Sequence, residues 1–428
     1  MADANIIKCV KEIIESDDKR RFIVVSAPGK RYSTDKKVTD LLFACHKELA
    51  KFGSCKKSFA AVRARFSDIV RQLELKIDFD GILDATLDRI EAEKSEHFTV
   101  SRGEYLCAII VAEYFGVKFI DAENVIYFNE DGSLNADKTY KAVASALNGV
   151  SKAVIPGFYG VGEDGKVMTF SRGGSDISGA IVARSVNATL YENWTDVSGF
   201  LACDPKIVDS PAPIEALSYK ELRELSYMGA NVLHSECIFP VRKANIPIQI
   251  RNVFRPQDKG TTIVPTSRYI PSGRVVTGIA GKKNFTVIYV EKSLMNAEIG
   301  FARKVLSVVE AENISVEHMP TGIDTMSLLI ESKDLTEIKL GRILEGIKCE
   351  VEPDIIRVIE NVALIATVGH GMSSSVGTSA RLFGAIGNAE ISIKMIDMGS
   401  SELNIIVGVK NEDYECCIKA IYGEFFAG

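Results

Sequence analysis

The sequence is poor in the residues that staple or metallate a fold. Its nine cysteines (9, 45, 55, 107, 203, 237, 349, 416 and 417) are odd in number and form no CxxC pair, which argues against a disulfide framework and a structural zinc site. The five histidines (46, 97, 234, 318 and 370) lie far apart and read as ordinary histidines of a reduced, cytosolic protein. No block of Lys and Arg stands out, and 51 basic against 57 acidic residues leave a net charge of −6. A nucleic-acid partner is therefore not expected. Met1 to Lys19 carry charge throughout and no apolar signal-peptide core. No apolar run approaches the roughly 18 residues of a membrane span, and Ser171-Arg172-Gly173-Gly174-Ser175-Asp176 is neither a Walker A nor a GxGxxG motif. No metal-ligand set is singled out.

What is there is a chain of 428 residues, 46% hydrophobic and 25% charged, enough for a large core and about two to three domains. The first part alternates strand-like and helix-like segments: an apolar run at Phe22–Val25 ending in Ser26-Ala27-Pro28-Gly29, and amphipathic stretches at 40–50, 59–74 and 104–115. Short apolar strands are expected at 117–120, 153–158, 167–170 and 189–191, and a helix of small residues at 177–186. This alternation predicts an α/β sandwich around a mostly parallel sheet, running to about Val264. Pro265 to Pro271 reads as a linker. Beyond it an internal repeat emerges at an offset of 77 residues: Gly300 matches Gly377, and Ile314-Ser315-Val316 matches Ile391-Ser392-Ile393. Each copy reads as strand, Gly-containing loop, helix, two strands and helix, a ferredoxin-like βαββα unit with a further strand.

Four segments could carry chemistry. Ser171-Arg172-Gly173-Gly174-Ser175-Asp176 follows a strand and opens a helix. Its glycines let backbone N–H groups approach an oxyanion at a helix N-terminus, and Arg172 can fork onto a carboxylate or phosphate. Asp176 can cap the helix or hold Mg²⁺ or a Lys; a Gly-rich turn with an N-cap would look the same. Trp194-Thr195-Asp196-Val197-Ser198-Gly199, with Asp204-Pro205-Lys206 after it, places polar residues at a strand end, where open α/β sheets bind ligands. Ser101-Arg102-Gly103-Glu104 puts Glu104 at a helix start, either as a favourable first-turn acid or as a contact to a substrate amino group. Ser26-Ala27-Pro28-Gly29-Lys30, with Thr39-Asp40 after it, is a turn that can wall a small-molecule site.

In order, SAPGK, VTDLL, SRGE, PGFYG, FSRGGSD, ENWTDVSG, CDPK, GANVLH, IPIQIRN and GTTIV resemble aspartate kinase over nearly the whole chain. The resemblance implies an α/β fold: an amino-acid kinase (carbamate kinase-like) sandwich over 1–264, a linker and first regulatory strand over 265–282, and two ferredoxin-like βαββαβ ACT domains over 283–355 and 356–428. It implies MgATP-dependent phosphorylation of the β-carboxylate of L-aspartate to 4-phospho-L-aspartate, in amino-acid biosynthesis. L-Aspartate would meet Ser26, Thr39, Glu104, Phe158, Arg172 and Ser175, with Arg172 on a carboxylate and Glu104 facing the ammonium. ATP would meet Gly173, Gly174, Thr195, Asp196, Gly199, Lys206 and Asn231, while Asp176 orients a catalytic Lys and the metal-bound phosphates. An end product, lysine by preference, would bind at Met295, Gly300, Phe301, Ser315, Val316 and Glu317, at a homodimer interface of the ACT domains.

Members of that family begin with a strand ending in a Lys-Phe-Gly-Gly loop whose Lys contacts the transferring phosphate. Met1-Ala2-Asp3-Ala4-Asn5 aligns with the residues on the C-terminal side of that loop. Loss of one electrostatic donor commonly costs about 10²–10³-fold in rate, so the expectation is little or no kinase activity for this polypeptide as written. The alternative reading is an inert kinase domain serving as an amino-acid-binding, dimerising module. Asn231 and Leu201 replace a Lys and a Tyr of some members, and Glu317 replaces an Asp while keeping the carboxylate.

Overall fold

The computed structural model describes residues 1–171, 173–230, 233, 237–269, 273–399 and 401–427. The chain divides into two compact units: Met1–Gly199 with Leu233–Ser267, and Phe200–Val232 with Arg268–Gly428.

The first unit is built on parallel strands. Ala153–Pro156 lies between Phe22–Val25 and Lys118–Phe119, parallel to both, with Phe22 opposite Ala153. Ile23, Val25, Ala153, Val154 and Ile155 are buried, as expected for strands covered on both faces. Helices Val38–Phe52, Lys56–Gln72, Phe79–Glu93 and Glu96–Phe115 supply the cover. In Val38–Phe52 the apolar residues Leu42, Cys45 and Leu49 recur at helical spacing and are buried. Glu96–Phe115 starts where the Ser95 side chain accepts from the Phe98 N–H and stops at Gly116, whose φ of +66° only glycine adopts readily. A second set of strands places Tyr191–Thr195 parallel to Ile248–Asn252, with Thr261–Val264 antiparallel beyond. Tyr159–Val161 and Val167–Thr169 form a hairpin.

Three expectations need correction here. Glu104 does not open a helix: the helix begins two turns earlier because Ser95 caps it, and Glu104 sits buried in its middle. Trp194 lies within a strand, not after one, since the run continues to Thr195 in register with Asn252. The strand at 167–170 belongs to the antiparallel hairpin, not to the parallel sheet.

The second unit holds the repeat. Its sheet runs Thr325–Glu331, Gly278–Glu291, Ile355–Val368, Asn404–Lys410 and Met395–Asp397, every neighbouring pair antiparallel. The two 14-residue strands pair along most of their length, so both copies build on one sheet. Helices Phe301–Ala311 and Glu337–Val351 bury Val305, Ile343 and Ile347 against Ile288, Leu328 and Ile330. Thr378–Asn388 and Tyr414–Phe426 bury Leu382, Cys417 and Ile421 against Ile365 and Val407. Gly300 and Gly377 open the equivalent helices at φ +81° and +87°. The first of the two strands expected after the helix, at and beyond Ile314-Ser315-Val316, is reduced to isolated bridges, His318 with Leu329 and Thr321 with Met326. Pro320, which lacks an N–H, interrupts the ladder between them.

Candidate active site

Because Phe22–Val25 and Ala153–Pro156 run parallel, their carboxyl ends emerge side by side. The Gly157 N–H donates to the Val25 carbonyl (2.9 Å). Ser26 and Ala27 leave one strand, Gly157 and Phe158 the other. The Val38 N–H donates to the Pro28 carbonyl (3.1 Å), which brings Thr39 to the same loop. Gly157 packs so tightly on the next helix that an added Cβ would lie 2.8 Å from the Ser175 Cα. Phe158 holds φ +79°, a conformation that costs a bulky residue on the order of 1–3 kcal/mol. It is clamped by its N–H to Ser178 Oγ (3.0 Å) and by the Phe170 N–H to its carbonyl (2.9 Å).

Glu104 backs this loop. Gly103 lets Ala27 approach where a Cβ would stand 2.8 Å from the Ala27 Cβ, and the Glu104 carboxylate accepts from the Ala27 N–H. Burial pushes the carboxyl up to about 8, against those backbone hydrogen bonds and the Arg102 charge. One of its oxygens, Oε2, is buried without a hydrogen-bond partner among the described residues. Arg102 is turned away, sealed under Phe98, Tyr105 and Tyr159 and paired with Glu123 (3.0 Å).

Helix Gly174–Ser185 opens at Gly173, φ +55°, with no side-chain cap. Asp176 therefore does not cap it; its Oδ1 accepts instead from the Asn193 amide (2.8 Å). A Cβ on Gly173 would sit 2.2 Å from Cys237 Sγ, and one on Gly174 would sit 2.4 Å from the Phe158 ring. Both glycines are thus demanded by close approach. Ser26, Thr39, Glu104, Phe158, Gly173, Gly174, Ser175 and Asp176 come together. Arg172 and Asn231 lie outside the described residues.

The second parallel pair ends at Thr195 and Asn252. The Val253 N–H donates to the Thr195 carbonyl (2.8 Å). The Asn252 amide donates to the Asp196 carbonyl (3.3 Å) and Ser198 Oγ (3.0 Å), and Ser198 donates to Asp258. Gly199, φ +106°, lies where a Cβ would meet Thr261 Oγ1 at 2.3 Å. Thr195, exposed Asp196 and Gly199 are thereby held at one strand edge, while Lys206 belongs to the second unit. Trp194 faces the other way: its indole donates to Glu192 (3.1 Å) and its ring lies against the guanidiniums of Arg20 and Arg251. Asn193, Asn252 and Asp258 were not foreseen. The one signal for Asn252 was a polar residue closing an apolar run.

In the second unit, Ser315 and Val316 line an open cavity of about 530 Å³ with Leu306, Val309, Glu310, Asn313 and Ile314. Met295 and Phe301 are instead buried beside it in the helix–sheet core, Gly300 opens the helix, and Glu317 accepts from the Tyr227 hydroxyl.

The model of the amino acid kinase family matches residues 2–252, and that of the ACT domain matches residues 365–425. Aspartokinase 3 of Bacillus subtilis (strain 168) is 38% identical over 433 residues, covering 98% of this chain and 95% of that protein. The chain belongs to the aspartokinase family. It is an aspartate kinase by sequence, with an ACT-bearing C-terminal region. The crystal structure of the Clostridium acetobutylicum aspartate kinase superposes with a TM-score of 0.94 at 48% identity, covering 99% of this chain and 97% of that one. Aspartokinase III of E. coli, solved with aspartate and ADP, shares the fold at a TM-score of 0.77 and 23% identity, over 99% of this chain and 97% of that one. Among the described residues no helix is long and apolar enough to cross a membrane.

Proposed function

We propose that this aspartokinase transfers the γ-phosphoryl group of ATP to the β-carboxylate of L-aspartate, giving 4-phospho-L-aspartate. The observation that carries the reading is Glu104, a buried carboxyl with an oxygen unpartnered among the described residues, beside the loops after two parallel strands and the Gly173–Gly174 helix start. A buried carboxylate recognises an ammonium, and helix N–H groups recognise anions, so together they fit an α-amino acid. Ser26, Thr39, Phe158 and Ser175 shape that subsite, and Arg172 is assigned to a substrate carboxylate from its place in the motif. Thr195, Asp196 and Gly199, with Lys206 and Asn231, are assigned to the nucleotide.

The acceptor carboxylate is already ionised at neutral pH, so no general base is required. The chain's task is to bring two anions together and screen their repulsion. Mg²⁺ suits this donor set as a companion of the nucleotide: it is usually bound by one or two carboxylates plus phosphates. Among the described residues no cluster of three or more His, Cys, Asp or Glu could hold a metal unaided. Asp176, whose Oδ1 accepts from a neutral amide, is the carboxylate offered. When bound, the ion supplies charge neutralisation at the phosphates.

Regulation is assigned to the second unit. Ser315 and Val316 at the open cavity, with Glu317, Met295, Gly300 and Phe301 around it, suit an amino-acid effector, lysine by preference. Aspartokinase III of E. coli has been solved with lysine and aspartate. The chain would work in the cytosol at the head of a biosynthetic route for aspartate-derived amino acids, where its nine free cysteines stay reduced.

The test is incubation with MgATP, L-aspartate and hydroxylamine, with and without lysine. Aspartyl hydroxamate that falls on adding lysine is the outcome this reading expects, in place of the little or no activity expected from the Lys-Phe-Gly-Gly comparison, because the similarity to aspartokinases runs over nearly the full length of both chains. No hydroxamate would overturn the activity, and hydroxamate indifferent to lysine would overturn the effector.

A further inference from the structure

The strand Tyr191–Thr195 alternates its side chains, and Tyr191 and Asn193 both reach the first turn of helix Gly174–Ser185. The Asn193 amide donates to Asp176 Oδ1 (2.8 Å) and approaches the Tyr191 hydroxyl (3.3 Å); that hydroxyl in turn donates to the Asp176 carbonyl (3.1 Å). Both acceptors require the amide nitrogen on this side, so the network itself orients the Asn193 side chain. Tyr191 is held by close packing: a Cβ on Gly179 would stand 2.6 Å from its hydroxyl. This strand thus grips Asp176 at its main chain and at Oδ1. Its other oxygen, Oδ2, lies on the Gly173 side, 3.8 Å from where a Gly173 Cβ would be.

We propose that Asn193 is a positioning residue for phosphoryl transfer, fixing the Asp176 carboxylate so that Oδ2 is presented at the Gly173–Gly174 turn while the group keeps its charge. This rests on the aspartate kinase reading above. The donor type matters: Lys or Arg at 193 would neutralise Asp176, an apolar residue would let the carboxylate rotate, and only a neutral donor orients it without cancelling it.

The test begins with the wild-type chain in the hydroxamate assay; if it forms none, the reading fails and the inference falls with it. In an active enzyme, Asn193→Leu removes the donor at similar volume. The expected result is a fall in kcat of about 10–100-fold, the usual effect of removing a supporting hydrogen bond, with KM for aspartate little changed. Ile250→Val, a buried change in the adjacent strand, controls for lost packing and should leave kcat unaltered. An unchanged kcat in N193L, or a rise in KM alone, would overturn the proposal and leave Asn193 a packing residue.

Discussion

Glu104 shows how one side chain can set both affinity and stability. Its carboxyl is pushed by burial from an ordinary 4.5 to about 8, so at neutral pH the ligand-free site holds it protonated. An ammonium ligand needs the ionised form. KM for aspartate should therefore rise as pH falls from 8 to 6. The same shift has a folding consequence. An acid whose folded-state value is raised is fully tolerated below the unfolded value, and stability is lost as pH climbs through the folded one. Glu104→Gln removes the ionisation. It should lower kcat/KM for aspartate by about 10–100-fold, the worth of a charged hydrogen bond, yet raise Tm at pH 8.5 by about 2–4 °C per kcal/mol recovered. At pH 4 the Tm difference should vanish. An unchanged KM between pH 6 and 8, or a Tm gain that is the same at both pH values, would refute this account.

At the scale of elements, helix Tyr219–Tyr227 shows how a short helix is tied down. Ser218 and Glu221 form a capping box: the Ser218 side chain accepts from the Glu221 N–H, and Glu221 accepts back from the Ser218 N–H (2.8 Å). Glu221 is fully buried and also accepts from Thr277 Oγ1 (2.7 Å) and the His370 N–H (3.0 Å). With the Tyr269 hydroxyl (3.4 Å), four donors from the second unit thus converge on one carboxylate. Glu221→Ala leaves these donors without their acceptor, each costing about 1–3 kcal/mol where it stays buried and unsatisfied. Urea unfolding of this variant should show a stability loss of several kcal/mol, whereas Ser218→Ala should cost about 1 kcal/mol. Equal losses would show that the cap, not the buried hub, carries the stability. The four helix–strand contacts of the repeat were legible from periodicity. The capping box was present in the sequence as Ser-x-x-Glu, but the Thr277 and His370 donors lie 56 and 149 residues from Glu221, beyond any local pattern.

For the whole molecule, the two copies share one antiparallel sheet, and Ile299 and Val376, at equivalent repeat positions, stand almost fully exposed before Gly300 and Gly377. Exposed β-branched residues at matching sites fit a symmetric partner. Light scattering at micromolar concentration should read twice the 46.8 kDa chain mass; a monomer would refute the homodimer.

From composition and period alone, the chain declared its class, the 77-residue repeat and the Gly173–Gly174 turn, but not that Phe200–Val232, inside the expected first domain of 1–264, groups with the second unit. These rest on local physics: glycine where a Cβ cannot fit, apolar residues at periods of two or 3.6, a duplication written twice. The burial of Glu104, the Asn193 grip on Asp176 and the left-handed Phe158 were decided only by tertiary structure. A pKa depends on what covers a group, and a hydrogen bond on which strand end a helix meets. Those quantities arise when Phe22–Val25 and Ala153–Pro156 come to lie side by side, across 127 residues of intervening sequence.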